Sequence, residues 1–106
     1  MIVVMGATGR AGHATLQALQ AGGHAVRAIS RQPRTSTAQV QWVAADAFDA
    51  DALARVFQGA HAVFVVNPVA PGSADVYADA AQISTAVAQA LDAAAVPHAV
   101  ALSSQG

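Results

Sequence analysis

The chain has 106 residues, of which 55% are apolar and 10% charged, and it carries a net charge of −1. That length suits a single domain, 1–106, able to bury roughly 65% of its unfolded surface, and the apolar share excludes a disordered segment. The near-neutral charge gives no electrostatic case for nucleic acid or an anionic membrane, no apolar run reaches the roughly 20 residues of a membrane span, and the lack of cysteine excludes disulfides and thiolate metal sites. All five basic residues are arginine and all six acidic ones aspartate, so no chemistry here draws on a lysine or glutamate side chain. With no basic leader in view, the expected compartment is the cytoplasm.

Ile2 to Met5 reads as a fully buried strand. It runs straight into Gly6-Ala7-Thr8-Gly9-Arg10-Ala11-Gly12, three glycines at GxxGxxG spacing that open a helix. A strand, a tight glycine turn and a helix N-terminus together make a phosphate cradle, because exposed N–H groups and the positive end of the helix dipole face the ligand. A plain strand-to-helix turn needs one glycine there, not three. The helix runs from Arg10 to Gln20, with Leu16 and Leu19 on its inner face, and stops at Gly22-Gly23.

Ala25 to Ser30 is a second strand, Arg31 to Ala38 a polar loop containing Pro33, and Val40 to Ala44 an alternating third strand. Asp49 stands where a helix N-cap belongs, Leu53, Val56 and Phe57 follow on one face, and Gly59 closes that helix. Ala62 to Val66 is the fourth strand. The two prolines in Asn67 to Gly72 impose a loop. A long helix is expected from about Ala74 to Ala95, with Val76, Ala80, Ile83, Val87 and Leu91 on one face and Pro97 beyond its end. Ala99 to Leu102 is the fifth strand, and Ser103 to Gly106 its exit.

Strands alternating with helices imply right-handed crossovers and an α/β fold: a doubly wound, Rossmann-like parallel sheet of order 3-2-1-4-5. Ligands bind such sheets at the switch point between strands 1 and 4. A doubly wound sheet normally continues past strand 5. The expectation is therefore an apparently truncated chain, the N-terminal part of a longer protein, with a C-terminal part or another copy of the chain covering strand 5.

The end of strand 2 bears on the nature of the ligand. Folds that hold NAD place an acid there for the ribose 2′-OH, and folds that hold NADP place an arginine for the 2′-phosphate. Here the strand ends Ile29-Ser30-Arg31 with no acid nearby. Arg31 offers a guanidinium fork and Ser30 a hydroxyl, so NADP is preferred over NAD. Arg34 from the loop and Arg10 from the glycine turn are further candidates for the same phosphate, or else solvated charges. Asp46-Ala47-Phe48 follows strand 3 beside the expected adenine pocket; Asp46 either accepts from the adenine amine or caps the next turn. Asn67-Pro68 leaves strand 4 beside the expected nicotinamide ribose, or forms a turn only. Ser103 and Ser104 leave strand 5 at the same rim and could bond a substrate carbonyl or satisfy the strand end. The histidines (His13, His24, His61, His98) have no metal-ligand spacing, no metal is expected, and no Ser/His/Asp grouping suits a hydrolase.

In this order of features the chain resembles the NmrA-like family of atypical short-chain dehydrogenases. The resemblance spans essentially all residues, with Gly6 to Gly12 its most specific part and Ser30-Arg31, Asp46-Ala47-Phe48-Asp49 and Phe57-Gln58-Gly59-Ala60 in support. It implies an NAD(P)-binding Rossmann domain of an oxidoreductase that moves hydride from NADPH to a small acceptor such as a quinone. Some members are instead cofactor-sensing regulators without catalysis, and nucleotide-sugar epimerases share the GATGxxG opening. The family continues into a C-terminal part that forms most of the substrate pocket. The Tyr-x-x-x-Lys pair of short-chain dehydrogenases is missing: Tyr77 is the only tyrosine, and Ala81 lies four residues on.

Overall fold

The computed structural model describes residues 1–6, 10–30, 32, 34–66 and 75–102, with the backbone alone for Arg10, Ala11, Val66, Val76 and Leu102. Its elements are β1 (Ile2–Met5), α1 (Arg10–Ala21), β2 (Val26–Ser30), β3 (Val40–Ala44), α2 (Ala50–Phe57), β4 (Ala62–Val66), α3 (Val76–Ala93) and β5 (His98–Leu102). The strands form one sheet of order β3-β2-β1-β4-β5, and every pair is parallel. β1 lies at its centre because all four of its residues are apolar and buried, which only a strand covered on both faces tolerates.

Alternation along the strands divides the core in two. Val4, Val26, Ala28 and Val40 face α1 and pack with its Leu16, while Leu19, Trp42 and Phe64 border them. Val3, Met5, Ile29 and Val63 face the other way, onto Leu53, Val56 and Phe57 of α2 and Ile83, Ala86, Val87 and Ala90 of α3. Asp49 caps α2 as its position suggests: its side chain accepts the Ala52 N–H at 3.1 Å.

The element ends depart from the sequence reading where capping decides them. α1 runs one residue further, to Ala21, and closes with the His24 N–H on the Leu19 carbonyl and the Gly23 N–H on Gln20, Gly23 having φ of 79°. α3 is shorter than expected at both ends. Asp75 accepts the Ala78 N–H at 3.0 Å and so stands outside the helix as its N-cap. At the other end Ala95 takes the left-handed conformation, φ 54°, that normally falls to glycine, and the helix ends before Pro97 is reached. Its buried stripe runs through Ile83, Ala86, Val87 and Ala90, with Ala80 and Leu91 only half-buried. β2 starts at Val26 and β5 one residue early, at His98. Along β5, His98, Ala99, Val100 and Ala101 are exposed.

Arg27 ties the sheet to α2. Its Nε donates to Gln41 Oε1 at 3.0 Å, and its Nη1 donates to the carbonyls of Val56 (2.6 Å) and Gln58 (3.4 Å). A cation on the last carbonyls of a helix is doubly favoured, by hydrogen bonding and by the dipole. Arg27→Met keeps the aliphatic stem and removes these bonds. It is expected to lower stability by about 1.5–3 kcal/mol in chemical denaturation; an unchanged midpoint would show that water replaces the guanidinium without loss.

Candidate functional site

Because every strand is parallel, all five carboxyl ends meet on one rim. At its centre β1 ends at Met5, and Gly6 follows with φ of 75°, a conformation costly for any residue with a Cβ. α1 begins four residues later, at Arg10. No acidic side chain lies in its first turn, so none competes with an external anion for the helix N–H groups. Gly12 is buried in that turn, where the lack of a side chain lets helix and sheet approach closely.

Beside this turn β2 ends at Ser30, in register with Ala44 of β3. Ser30 is buried, its carbonyl accepts the Ala45 N–H at 3.0 Å, and its hydroxyl donates to the carbonyl of Gln32. The hydroxyl expected next to a phosphate thus braces the start of the β2–β3 loop. Arg34, exposed in that loop, stands over Trp42 with its guanidinium carbon 5.0 Å from the ring centroid. Ser36 Oγ accepts the Trp42 N–H at 2.9 Å, and Thr37 Oγ1 accepts the Val40 N–H at 3.1 Å. Nothing in the sequence spacing signals this strapping of the loop onto β3, since it depends on which strand residues face the outer edge.

After β3, Asp46 Oδ1 accepts the Phe48 N–H at 2.9 Å and the Asp46 carbonyl accepts the Asp49 N–H at 3.0 Å. Of its two sequence readings, the turn-capping one is seen; its other carboxylate oxygen makes no hydrogen bond among the described residues. Ala47 is half-buried against the α2–α3 side of the core. Thr8, Gly9, Arg31, Asn67, Pro68, Ser103 and Ser104, also named from the sequence, lie outside the described residues, as do the side chains of Arg10 and Ala11.

The first 45 residues hold Arg10, Arg27, Arg31 and Arg34 and no acid, while every aspartate lies from Asp46 onward. The β1 turn, α1 and the β2 exit therefore carry no acidic side chain. On the opposite rim His61 and His98 meet edge to face, ring centroids 5.5 Å apart. Among the described residues no three His, Asp or Glu side chains cluster as a metal site would require.

A family model described as NAD(P)H-binding matches residues 6–106. Among solved structures, an NADPH-dependent quinone oxidoreductase from Escherichia coli, complexed with NADPH, is 26% identical with a TM-score of 0.77, over 95% of this chain and 36% of that one. A Burkholderia pseudomallei protein named as exported is 29% identical with a TM-score of 0.76, over 94% of this chain and 45% of that one. Uronate dehydrogenase from Agrobacterium tumefaciens is 19% identical with a TM-score of 0.81, over 97% of this chain and 40% of that one, a likeness of fold alone. This chain spans less than half the length of each. None of the curated proteins compared with the chain is significantly similar to it.

Proposed function

The chain belongs to the NAD(P)H-binding family, and from that premise we propose that it is the cofactor-holding part of an NmrA-like oxidoreductase that prefers NADPH and passes hydride to a small acceptor such as a quinone. One observation carries the preference: a β2 exit bearing Arg31 and Arg34, in a stretch of chain that has no acid before Asp46. An NAD-type site needs a carboxylate at that exit for the ribose 2′-OH; a 2′-phosphate needs the opposite charge. The E. coli quinone oxidoreductase supports the choice of acceptor class by its likeness.

When bound, the reduced nicotinamide supplies the hydride. The chain's own part is to hold the pyrophosphate on the Gly6–Gly12 turn and α1, the adenosine on the β2 and β3 exits, and the nicotinamide end near Asn67-Pro68 and Ser103. The acceptor pocket is proposed to come from a further C-terminal part or a second copy of the chain set against β5.

A paired calorimetric titration with NADPH and NADH tests the reading. Tighter binding of NADPH is expected. Arg31→Ala is expected to weaken NADPH by about 1–3 kcal/mol, the scale of a charge-assisted contact, and to leave NADH nearly unchanged. Equal losses for both cofactors would refute the 2′-phosphate assignment.

A second reading, implied by the same family resemblance, is a regulator that senses NADP(H) without catalysis. NADPH oxidation assayed with a panel of quinones separates the two: turnover supports the enzyme, and binding without turnover supports the sensor.

A further inference from the structure

Arg34 is held by an aromatic ring and not by an acid. Among the described residues the indole of Trp42 is the one partner of its guanidinium. The indole is itself held by packing: Trp42 lies half-buried against the cluster of Val4, Leu16, Val26, Ala28 and Val40, while its backbone N–H donates to Ser36 Oγ. The loop behind Arg34 is fixed as well, through Thr37, which donates its N–H to the Val40 carbonyl at 2.8 Å and accepts the Val40 N–H in return. Trp42 is in register with Ala28, two residues short of the Ser30 and Ala44 pair at the strand ends. Trp42 thus stands about 7 Å along the strand from the rim where the β2 exit would meet a ribose, a distance within the reach of an arginine side chain.

We propose that Trp42 is a parking place for Arg34, and that a 2′-phosphate at the β2 exit draws the guanidinium off the indole and onto itself. Arg34 then determines specificity for the phosphorylated ribose, and Trp42 is the residue that positions it. The inference rests on the reading of the site as an NADP site. Relative strengths set the direction of the switch. An exposed cation–π contact is worth about two- to fivefold in an equilibrium constant, a charge-assisted contact to phosphate about tenfold or more. The phosphate wins when present; the indole keeps the charge close when it is not. A ribose with a free 2′-OH offers no charge and leaves Arg34 where it is.

Trp42 is the only tryptophan in the chain, so intrinsic fluorescence reads this one site. The probes are adenosine 2′,5′-bisphosphate and 5′-AMP, with binding followed independently by calorimetry. The bisphosphate is expected to change Trp42 emission and 5′-AMP to leave it unaltered. Arg34→Gln is expected to remove the emission change and weaken the bisphosphate about tenfold, with 5′-AMP affinity unmoved. Trp42→Phe, a weaker cation–π partner, is expected to bind the bisphosphate up to about threefold more tightly. Calorimetric binding of the bisphosphate without an emission change, or an emission change that survives in Arg34→Gln, overturns the parking of Arg34 while leaving the NADP reading intact. Absence of binding of both nucleotides overturns that reading, and this inference falls with it.

Discussion

Replacing Gly6 by valine is expected to weaken NADPH binding by about a hundredfold or more while lowering the stability of the fold by only about 1–2 kcal/mol. The second figure is the usual penalty for an L-residue in the left-handed region, where Gly6 sits with φ of 75°; a β-branched side chain is among the worst tolerated there. Valine will relieve the strain by rotating φ to a negative value. The chain then leaves β1 in a different direction, and the pyrophosphate contacts proposed for the Gly6–Gly12 turn are lost. Losing about two charge-assisted contacts of about 1.5–3 kcal/mol each accounts for the hundredfold. Calorimetry for binding and thermal denaturation for folding separate the two effects. Full NADPH affinity in a folded Gly6→Val protein would mean that the turn connects β1 to α1 and holds no pyrophosphate.

The same distinction, between what a residue dictates locally and what depends on its neighbours in space, explains how much of the fold was legible. β3 was readable to the residue from its alternation, and β4 from an apolar run bounded by His61 and Asn67. The order of the sheet followed from alternation of strands and helices. The ends of α3 were not readable. Ser73 and Asp75 are both residue types that cap helices, and only the extended backbone of Asp75 shows that it is the one outside the helix. Ala95 is hidden for the opposite reason: alanine is the best of helix formers, and its positive φ reflects the tertiary arrangement that turns the chain toward β5.

At the site, the glycine turn was legible because glycine spacing is itself a statement about backbone conformation. Side chains with several possible partners were not. Ser30 could donate to a ligand or to its own loop, and the structure shows the Gln32 carbonyl. Asp46 could accept from an adenine or from the next turn, and the Phe48 N–H is its partner. Arg34 on Trp42 needs two facts that the sequence keeps apart: that Trp42 faces the α1 side of β3, and that the loop folds back along that strand's edge. Arg27 shows the same limit. What its side chain meets is decided by the end of α2, which the fold brings over β2.

Phe57→Ala is expected to destabilise the protein by about 3–5 kcal/mol, the range for truncating a fully buried aromatic. Phe57 has no exposed surface, and it belongs to the cluster that joins Met5 and Val63 of the sheet to Leu53 of α2 and Ile83 and Val87 of α3. It is also the last residue of an eight-residue helix, too short to persist without tertiary packing. Against a total stability of about 5–15 kcal/mol for a domain, such a loss lowers the denaturation midpoint severely. Phe48→Ala is the control. That ring is 46% exposed, and its removal is expected to change stability by no more than about 0.5 kcal/mol. A loss below about 1 kcal/mol for Phe57→Ala would show that α3 closes into the space and that the two helices are held by something other than this ring. The comparison reaches the site as well, because Met5 touches this cluster and leads directly into Gly6. If the cavity leaves β1 in place, NADPH at a hundred times its dissociation constant should stabilise Phe57→Ala by about 2.7 kcal/mol, as it should the parent protein. A smaller gain in the variant would show that the packing beneath β1 also sets the geometry of the glycine turn.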